Sequence, residues 1–383
     1  MPAGMSARSA DEPLLRRALE LARAGIGLAS PNPHVGAVIT DAHGNVAGEG
    51  TYTYAGVKHA EILALEAAGS RARAGTLYIN LEPHGHHGRT PPCTEALIKA
   101  GIRRVVASMA DPNPKVSGKG FDQLRAAGIE VEVGGIEAEA RRINEAFARY
   151  IRHGIPFVTL KSAMTMDAKI ALAAGAADAQ AKNEFSGTWL TGESARAHVH
   201  ELRHENDAIM AGIRTILADN ALLTDRSGLP RRRRLLRVIL DSRLRLPFDS
   251  RLVQSADGDV LVFCSSPDKH ALDQLKQRGI AVEIAPATPD GRLDLAFILR
   301  RLAEMEILSV MIEGGSTVNA SALAAKQVDK VFLYYAPKVL GAEAIPFSAA
   351  GSPPTQADLK QVSLHRFGED FAVEGYLRDP YAE

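Results

Sequence analysis

Short apolar runs alternate with segments of helical periodicity over the first 150 residues. Apolar positions spaced three and four residues apart predict helices, expected at residues 13–28, 59–68, 94–100 and 121–127. Runs of buried type predict strands, expected at residues 35–39, 46–50, 76–81, 104–108 and 129–133. Pro13 suits a helix start. Two hairpin strands followed by helix–strand alternation predict a three-layer α/β domain.

The alternation begins again after a charged helix near residues 138–153. Pro156 opens a new strand, FVTLKSAM. Further strands are expected at 208–211, 235–240, 259–264, 281–285, 307–312, 328–335 and 370–377, with helices at 193–205, 269–278 and 294–304. A chain of 383 residues is also long for one domain. The sequence therefore predicts two domains, residues 1–153 and 154–383.

Composition narrows the classes of partner. Lys plus Arg and Asp plus Glu both number 45, and aromatic residues make up only 5%. This balance disfavours nucleic acid and an anionic membrane as partners. The two cysteines fall in different predicted domains, the first residues carry no apolar signal segment, and no apolar stretch approaches the length that spans a bilayer. We expect a cytoplasmic protein.

Metal-binding residue types cluster in the first domain. His59 and Glu61 begin one predicted helix, and Cys93 begins the next after a proline-flanked, histidine-rich loop. Catalytic zinc takes three protein ligands and leaves one position for water. His-x-Glu followed later by Pro-Cys is typical of zinc deaminases, in which the glutamate moves protons without binding the metal. The two helix starts would aim these side chains at one point.

Three longer stretches resemble the deaminase–reductase family of riboflavin biosynthesis, the RibD type. They are PNPHVGAVI at 31–39, HAEILAL at 59–65 and LEPHGHHGRTPPCTEALIKAGIRRVV at 81–106. The resemblance implies a cytidine-deaminase-like first domain. In that domain His59, His84 and Cys93 would bind Zn²⁺, and Glu61 would be catalytic.

One position departs from the family. His84 stands where the family has its first zinc cysteine, and Gly85 follows in place of serine. Two interpretations remain open. Either His84 binds zinc through its imidazole, which zinc tolerates, or the deaminase half is impaired and the chain is a reductase only. The retained Glu61 favours a working site.

One substrate contact in the first domain is implied by the resemblance, and a second is suggested by chemistry alone. Asn32 would hold the pyrimidine ring. Arg89 would suit the substrate phosphate, since the guanidinium fork matches phosphate oxygens. His86 and His87 are interpreted as substrate-side or loop residues.

The second half carries its own family motifs. They are LKSAMTMDAKIAL at 160–172, WLT at 189–191, ELRHENDAIMAGIRTILADNALLTDR at 201–226, VILDSR at 238–243 and IEGGSTV at 312–318. They resemble the family's reductase half, which implies a dihydrofolate-reductase-like domain that uses NADPH. The residues implied to face the cofactor are Met164, Trp189, Thr215, Asp219, Ser242, Gly315, Ser316 and Thr317. Those implied to face substrate are Arg203, Leu223, Arg226 and Glu313. Lys161 and Asp219 are the implied catalytic residues.

Consecutive reactions on one intermediate are the implied function. Deamination of 2,5-diamino-6-ribosylamino-4(3H)-pyrimidinone 5′-phosphate would precede NADPH-dependent reduction of the product's ribosyl group to ribityl. A nucleic-acid base deaminase would need a basic, aromatic-lined groove, which this neutral, aromatic-poor chain does not indicate. A purely structural role would leave Glu61 without a function. The family resemblance favours a homo-oligomer.

Overall fold

The structure is a computed structural model that describes residues 4–86, 91–172, 189–349 and 356–382. The chain divides into two compact units. Unit 1 comprises Met1–Gly154 and Pro230–Arg233, and unit 2 comprises Ile155–Leu229 and Arg234–Ala382. Within the described ranges, no helix is long and apolar enough to cross a membrane.

Unit 1 is built on one five-stranded sheet. Its strands are β1 (Gly36–Thr40), β2 (Val46–Thr51), β3 (Thr76–Ile79), β4 (Arg104–Ala107) and β5 (Glu130–Val133). Its helices are α1 (Gly4–Arg23), α2 (Ala60–Ala68), α3 (Cys93–Ala100), α4 (Lys119–Ala126), α5 (Glu137–Ile143) and α6 (Glu145–His153). The spatial order is β2-β1-β3-β4-β5, with β1 antiparallel to both neighbours and β3, β4 and β5 parallel.

Both faces of this sheet are covered, which makes three layers. Val38 and Tyr78 point to the face that packs on α1, while Ile39 and Leu77 point to the opposite core. The alternation follows from the two-residue period of a strand. The three-layer α/β domain predicted from the pattern is therefore present.

Unit 2 is built on a nine-stranded mixed sheet. Its strands are β6 (Phe157–Thr165), β8 (Ala208–Gly212), β9 (Leu236–Leu240), β10 (Val260–Cys264), β11 (Ala281–Ile284), β12 (Ser309–Ile312), β13 (Lys330–Ala336), β15 (Lys360–Phe367) and β16 (Asp370–Tyr376). The spatial order is β11-β10-β9-β8-β12-β6-β13-β16-β15. The strands from β11 to β13 run parallel, and β16 and β15 are antiparallel. A separate pair joins β7 (Lys169–Ala171) to β14 (Ile345–Pro346).

The helices of unit 2 lie between these strands in sequence. They are α7 (Glu193–Glu205), α8 (Ile213–Asp219), α9 (Arg251–Gln254), α10 (Lys269–Gln277), α11 (Leu295–Glu304) and α12 (Ser316–Ala324). One apolar core lies on each face of the sheet. Because the seven parallel strands end at the same edge, the loops after them meet there, which is where ligands bind in open α/β sheets.

Several elements differ from the pattern-based expectation, and two of them have a clear physical reason. The first helix spans Gly4–Arg23 rather than 13–28, so Pro13 lies inside it, where the ring removes one helical hydrogen bond. Strand β15 was not anticipated. Its Val362 and Leu364 are 54% and 74% exposed, so its apolar residues do not mark a buried face as they do in a central strand.

Candidate functional site

Three candidate metal ligands of unit 1 converge although they lie on separate segments. His59 immediately precedes α2, His84 lies in the loop after β3, and Cys93 is the first residue of α3. One ligand atom from each lies within 4.8 Å of the other two. Cys93 Sγ is 3.2 Å from His59 Nδ1. The sequence-predicted trio is thus brought together, His84 included.

Glu61 completes this cluster from the first turn of α2, and it is only 3% exposed. Burial, followed by the neighbouring Glu61 carboxylate, raises the pKa of the Cys93 thiol far above its ordinary value. A cation reverses this balance, because a coordinating thiol is deprotonated. The chemistry of the four groups therefore suits a bound metal ion with an adjacent proton carrier.

The loop that carries His84 is anchored by Glu82. The Glu82 carboxylate accepts hydrogen bonds from the backbone N–H groups of Asp111, Gly118 and Gly120 at 3.0, 2.8 and 2.8 Å. The His84 carbonyl accepts a hydrogen bond from the N–H of Thr94 at 3.2 Å. These bonds hold the loop that carries His84 against α3 and α4.

Asn32 is connected to the cluster of candidate ligands through Tyr52. Its Nδ2 donates to the hydroxyl of Tyr52, whose ring meets that of His59 edge to face at a centroid distance of 5.6 Å. Asn32 is thus linked through Tyr52 to His59, a candidate ligand, and its role towards substrate stays a prediction. Arg89 lies outside the described residues.

Asp111 is a candidate residue that the sequence reasoning missed. Burial and the nearby Glu82 raise its pKa to about 6, while His86 opposes the shift. It follows the carboxyl end of β4, the edge where polar side chains of an α/β sheet collect. Its position in the ADPNP segment after a predicted strand was the available signal.

Unit 2 contains a cavity of about 640 Å³ at the carboxyl ends of its central strands. The lining includes eight residues that matter for chemistry, namely Lys161, Thr215, Asp219, Ser242, Glu313, Gly315, Ser316 and Thr317. All eight were singled out from the sequence. The other predicted residues of this half do not line the cavity and are placed below.

A buried charge network closes one end of the cavity. Arg203 donates from Nε and Nη2 to the two oxygens of Glu313 at 2.7 and 2.9 Å, and from Nη1 to the Thr224 carbonyl at 2.8 Å. Lys161 Nζ lies 3.6 Å from Glu313 Oε2. Burial opposes the charged carboxylate, but Lys161 and Arg203 outweigh it and lower the pKa of Glu313 to about 2. Burial lowers the pKa of Lys161.

The start of α12 forms another part of the wall. Gly315 precedes the helix, and a Cβ there would lie 3.8 Å from Thr215 Oγ1 across the cavity. The buried Ser316 hydroxyl has no hydrogen-bond partner among the described residues. Helix N-termini present free N–H groups that attract phosphate. The glycine, the hydroxyl and the amides therefore suit a phosphate group.

Two family models match the chain, one in each half, and each half contains one of the two candidate sites. The RibD C-terminal domain matches residues 156–373, more than half of the chain. The cytidine and deoxycytidylate deaminase zinc-binding region matches residues 8–109. The chain belongs to the RibD family.

Relatives over the full length agree with this assignment. RibD of Actinobacillus pleuropneumoniae is 38% identical, with 99% of each chain covered, and RibD of Synechocystis is 40% identical, with 96% of each covered. The structure of Acinetobacter baumannii RibD is similar with a TM-score of 0.82 at 34% identity, covering 96% of this chain and 99% of that one. A Thermotoga maritima structure, a diaminohydroxyphosphoribosylaminopyrimidine deaminase/5-amino-6-(5-phosphoribosylamino)uracil reductase, has a TM-score of 0.78 at 34% identity, covering 97% and 99%.

The predicted family and fold class are confirmed. The chain is a riboflavin biosynthesis enzyme with a cytidine-deaminase-like domain followed by a reductase domain, and thus has deaminase and reductase activities.

The remaining RibD residues implied by the resemblance lie away from the cavity wall. Met164 is 1% exposed on β6 and Leu223 is 4% exposed, with a positive φ of 55°. Trp189 is 66% exposed, with the Arg196 guanidinium over its ring at 5.3 Å. Arg226 lies on the surface of the segment after Leu223. Their roles stay predictions.

Proposed function

We propose that residues 1–153 and 154–383 catalyse consecutive steps of riboflavin biosynthesis. The first is zinc-dependent deamination of 2,5-diamino-6-ribosylamino-4(3H)-pyrimidinone 5′-phosphate, and the second is NADPH-dependent reduction of the product's ribosyl group. The observation that carries the proposal is the convergence of His59, His84 and Cys93 within 4.8 Å, with Glu61 buried beside Cys93. The name of the Thermotoga maritima relative supports the same pair of reactions.

The distances in the cluster fit zinc. Zn–N and Zn–S bonds of ordinary length place two ligand atoms of a tetrahedral site roughly 3.4–3.6 Å apart. Cys93 Sγ and His59 Nδ1 are already 3.2 Å apart. The His59–Cys93 pair is therefore close to the spacing that zinc needs, and the ligand atom of His84 lies within 4.8 Å of both. The imidazole of His84 would take the place of a thiolate.

The deaminase chemistry needs a proton carrier. A zinc ion held by His59, His84 and Cys93 would supply a coordinated water whose pKa is lowered towards neutrality. The Glu61 carboxylate would accept a proton from this water and deliver protons to the ring nitrogen and to the departing ammonia. Burial of Glu61 keeps its oxygens away from bulk solvent. Asn32, linked to the cluster through Tyr52, would hold the pyrimidine ring.

The reductase half is supported by the fit of its cavity to NADPH. The orphaned Ser316 hydroxyl and the start of α12 suit the pyrophosphate. The cofactor supplies the hydride, and the protein supplies orientation and electrostatics. Glu313, whose pKa is lowered to about 2, remains anionic and would accept hydrogen bonds from substrate. The Lys161 side chain would polarise the ribosyl group. Asp219, whose pKa is raised by partial removal from water, is positioned on the same wall for proton transfer.

The deaminase test compares zinc content and ammonia release in four proteins. Protein purified without chelator should hold about one zinc per chain and release ammonia from the diaminopyrimidine substrate. Glu61→Ala should keep the zinc and lose the release. His84→Ala should lose both, whereas His86→Ala, on the same loop, should keep the zinc. No zinc and no release in the native chain, both restored by His84→Cys, would leave a reductase only.

The reductase test follows NADPH oxidation with the deaminated substrate. We expect Lys161→Met and Asp219→Asn to lower kcat, because each removes a group able to donate or accept a proton. Full activity of both variants would remove these residues from the mechanism. The homo-oligomer stays a prediction.

A further inference from the structure

The Lys161 side chain lies over an aromatic ring that is not part of the cavity wall. Lys161 is on β6, and on the neighbouring strand β13 it pairs with Phe332, while Tyr334 pairs with Ala163. Because side chains alternate between the two faces of a sheet, Lys161, Phe332 and Tyr334 share one face. Lys161 Nζ is 5.7 Å from the centroid of the Tyr334 ring. Lys161 lines the cavity and Tyr334 does not, so the ring contacts the lysine from outside the cavity.

The Tyr334 ring is restrained by packing and by one hydrogen bond. Tyr334 is 0% exposed. Its hydroxyl is 2.6 Å from His198 Nδ1, and this bond satisfies a polar group that would be costly to bury alone. Phe332 and Phe367 pack against the ring at centroid distances of 5.1 and 5.5 Å. These contacts keep the ring in the orientation that places Lys161 over it.

Helix α7 supports both neighbours of the Lys161 amine. His198 on α7 bonds to the Tyr334 hydroxyl, and Arg203, five residues later, donates to both oxygens of Glu313. Glu313 Oε2 is 3.6 Å from Lys161 Nζ. The amine therefore has a carboxylate and an aromatic ring beside it, and one helix holds them both. A lysine side chain has many rotamers, and two fixed neighbours favour one of them.

The electrostatics around this amine come from several elements. The charged and titratable groups that act on Lys161, Tyr334 and His198 are Glu201, Arg203 and Glu205 on α7, Glu313 after β12, Glu374 on β16 and His365 on β15. Burial raises the pKa of Tyr334 and lowers the pKa of His198, so both rings are neutral near pH 7. Neither ring therefore adds a cation beside Lys161.

The ring face acts on Lys161 in the same direction as the carboxylate. Burial lowers the pKa of Lys161, Glu313 raises it, and Arg203 lowers it. The face of an aromatic ring is negative and attracts an ammonium group within about 6 Å of its centroid. Tyr334 thus favours the charged form of Lys161 against the cost of burial.

We propose that Tyr334, fixed by His198, is a positioning residue of the reductase half whose ring holds the Lys161 ammonium group in the orientation that the reaction needs. This inference rests on the proposed role of Lys161 in the reduction. Because Tyr334 does not line the cavity, its ring should affect kcat through Lys161 and leave KM for cofactor and substrate unchanged.

The test changes the charge distribution of the ring and keeps its shape. Tyr334→Phe retains the ring and removes the hydroxyl. The analogue 3,4,5-trifluorophenylalanine in place of Tyr334 has nearly the shape of phenylalanine, but its fluorines withdraw electron density from the ring face. In NADPH oxidation with the deaminated substrate, kcat should be about three- to thirtyfold lower in the fluorinated variant than in Tyr334→Phe. KM for both ligands should stay within about twofold.

The pH profile gives a second readout of the same contact. If the ammonium form of Lys161 is active, kcat falls as the pH rises through its pKa. The fluorinated ring stabilises that form less, so the alkaline limb should lie about 0.5–1.5 pH units lower than in Tyr334→Phe.

Tyr335 supplies the matched control on the other face of the same strand. It stacks on Phe371 at a centroid distance of 5.1 Å. The same two replacements at Tyr335 should change neither kcat nor its pH dependence. His198→Leu should lower kcat when Tyr334 is present and have no further effect in Tyr334→Phe, because the hydrogen bond is then already absent.

The inference is overturned if the fluorinated variant has the same kcat and pH profile as Tyr334→Phe, or if only KM changes. The contact is also measured without turnover by carbon-13 NMR of the reductively methylated protein, where the Lys161 signal is identified by its loss in Lys161→Met. The pKa of Lys161 should be lower in the fluorinated variant, and an equal pKa refutes the role of the ring. Full activity of Lys161→Met would instead refute the proposed function of Lys161, and the NMR titration would still decide whether the ring stabilises its charge.

Discussion

Glu313→Gln is the most informative single substitution in the reductase half, because it removes one charge and keeps the shape of the side chain. Glu313 and Arg203 are each 11% exposed, and Lys161 is 13% exposed. The variant leaves two buried cations without their counter-charge. Removing one partner of a buried ion pair costs about 3–5 kcal/mol. Because glutamine keeps one acceptor oxygen, we expect a loss of about 3 kcal/mol in the free energy of unfolding.

The matched control is Glu283→Gln on the same sheet. Glu283 also accepts two bonds from one arginine, Arg301, at 2.8 and 3.1 Å. This pair is 29% and 39% exposed, so its loss should cost less than about 1 kcal/mol. In differential scanning calorimetry, the melting temperature of unit 2 should fall by about 6–12 °C in Glu313→Gln. In the control Glu283→Gln it should fall by a few degrees at most. Equal losses in the two variants would refute the role of burial.

The pH dependence gives an independent check. The pKa of folded Glu313 is lowered to about 2 from its ordinary value of 4.5. A depressed pKa contributes stability that is complete above the unfolded value and is lost as the pH falls through the folded value. The contribution of Glu313 should therefore disappear between about pH 4.5 and 2. The stability difference between native protein and Glu313→Gln should shrink over that window, and a constant difference would contradict the assignment.

Much of the metal site could be predicted because its signals are local. His59 and Cys93 stand at helix starts that the apolar pattern locates, and His84 follows a predicted strand. The fold class was accessible for the same reason, since the alternation of periods identifies an α/β domain. The ends of the helices and strands were harder to predict. Nothing in the pattern separates the last turn of α1 from the turn residues after Arg23.

Long-range contacts explain what the sequence could not supply. Arg203 was expected to face the substrate, yet its donors are occupied by Glu313, 110 residues away, and by the Thr224 carbonyl. Asp111 draws its raised pKa from burial and from Glu82. Arg245 lies just beyond the VILDSR motif, and only the arrangement of strands shows that it reaches the cavity. Each of these facts depends on chain segments meeting in space.

Two further predictions concern unit 1. Gly36→Ala should destabilise it by about 3 kcal/mol, because a Cβ would lie 2.1 Å from the Ala18 carbonyl oxygen. At Gly56 the nearest atoms to a Cβ would be the rotatable Thr53 hydroxyl at 2.9 Å and the Thr53 carbonyl oxygen at an ordinary 3.6 Å, so Gly56→Ala should cost less than about 1 kcal/mol. Urea unfolding compares the two, and equal costs would contradict the close approach of α1 to β1. Asp111→Asn tests the raised pKa of about 6 against the ordinary 3.8. Because the folded state holds its proton to higher pH, the stability of the native unit should fall as the pH rises from about 4 to 6. The variant should lack that fall and gain up to about 3 kcal/mol at pH 7. If stability changes with pH in the same way in the variant and the native protein, the pKa of Asp111 is not raised in the folded state.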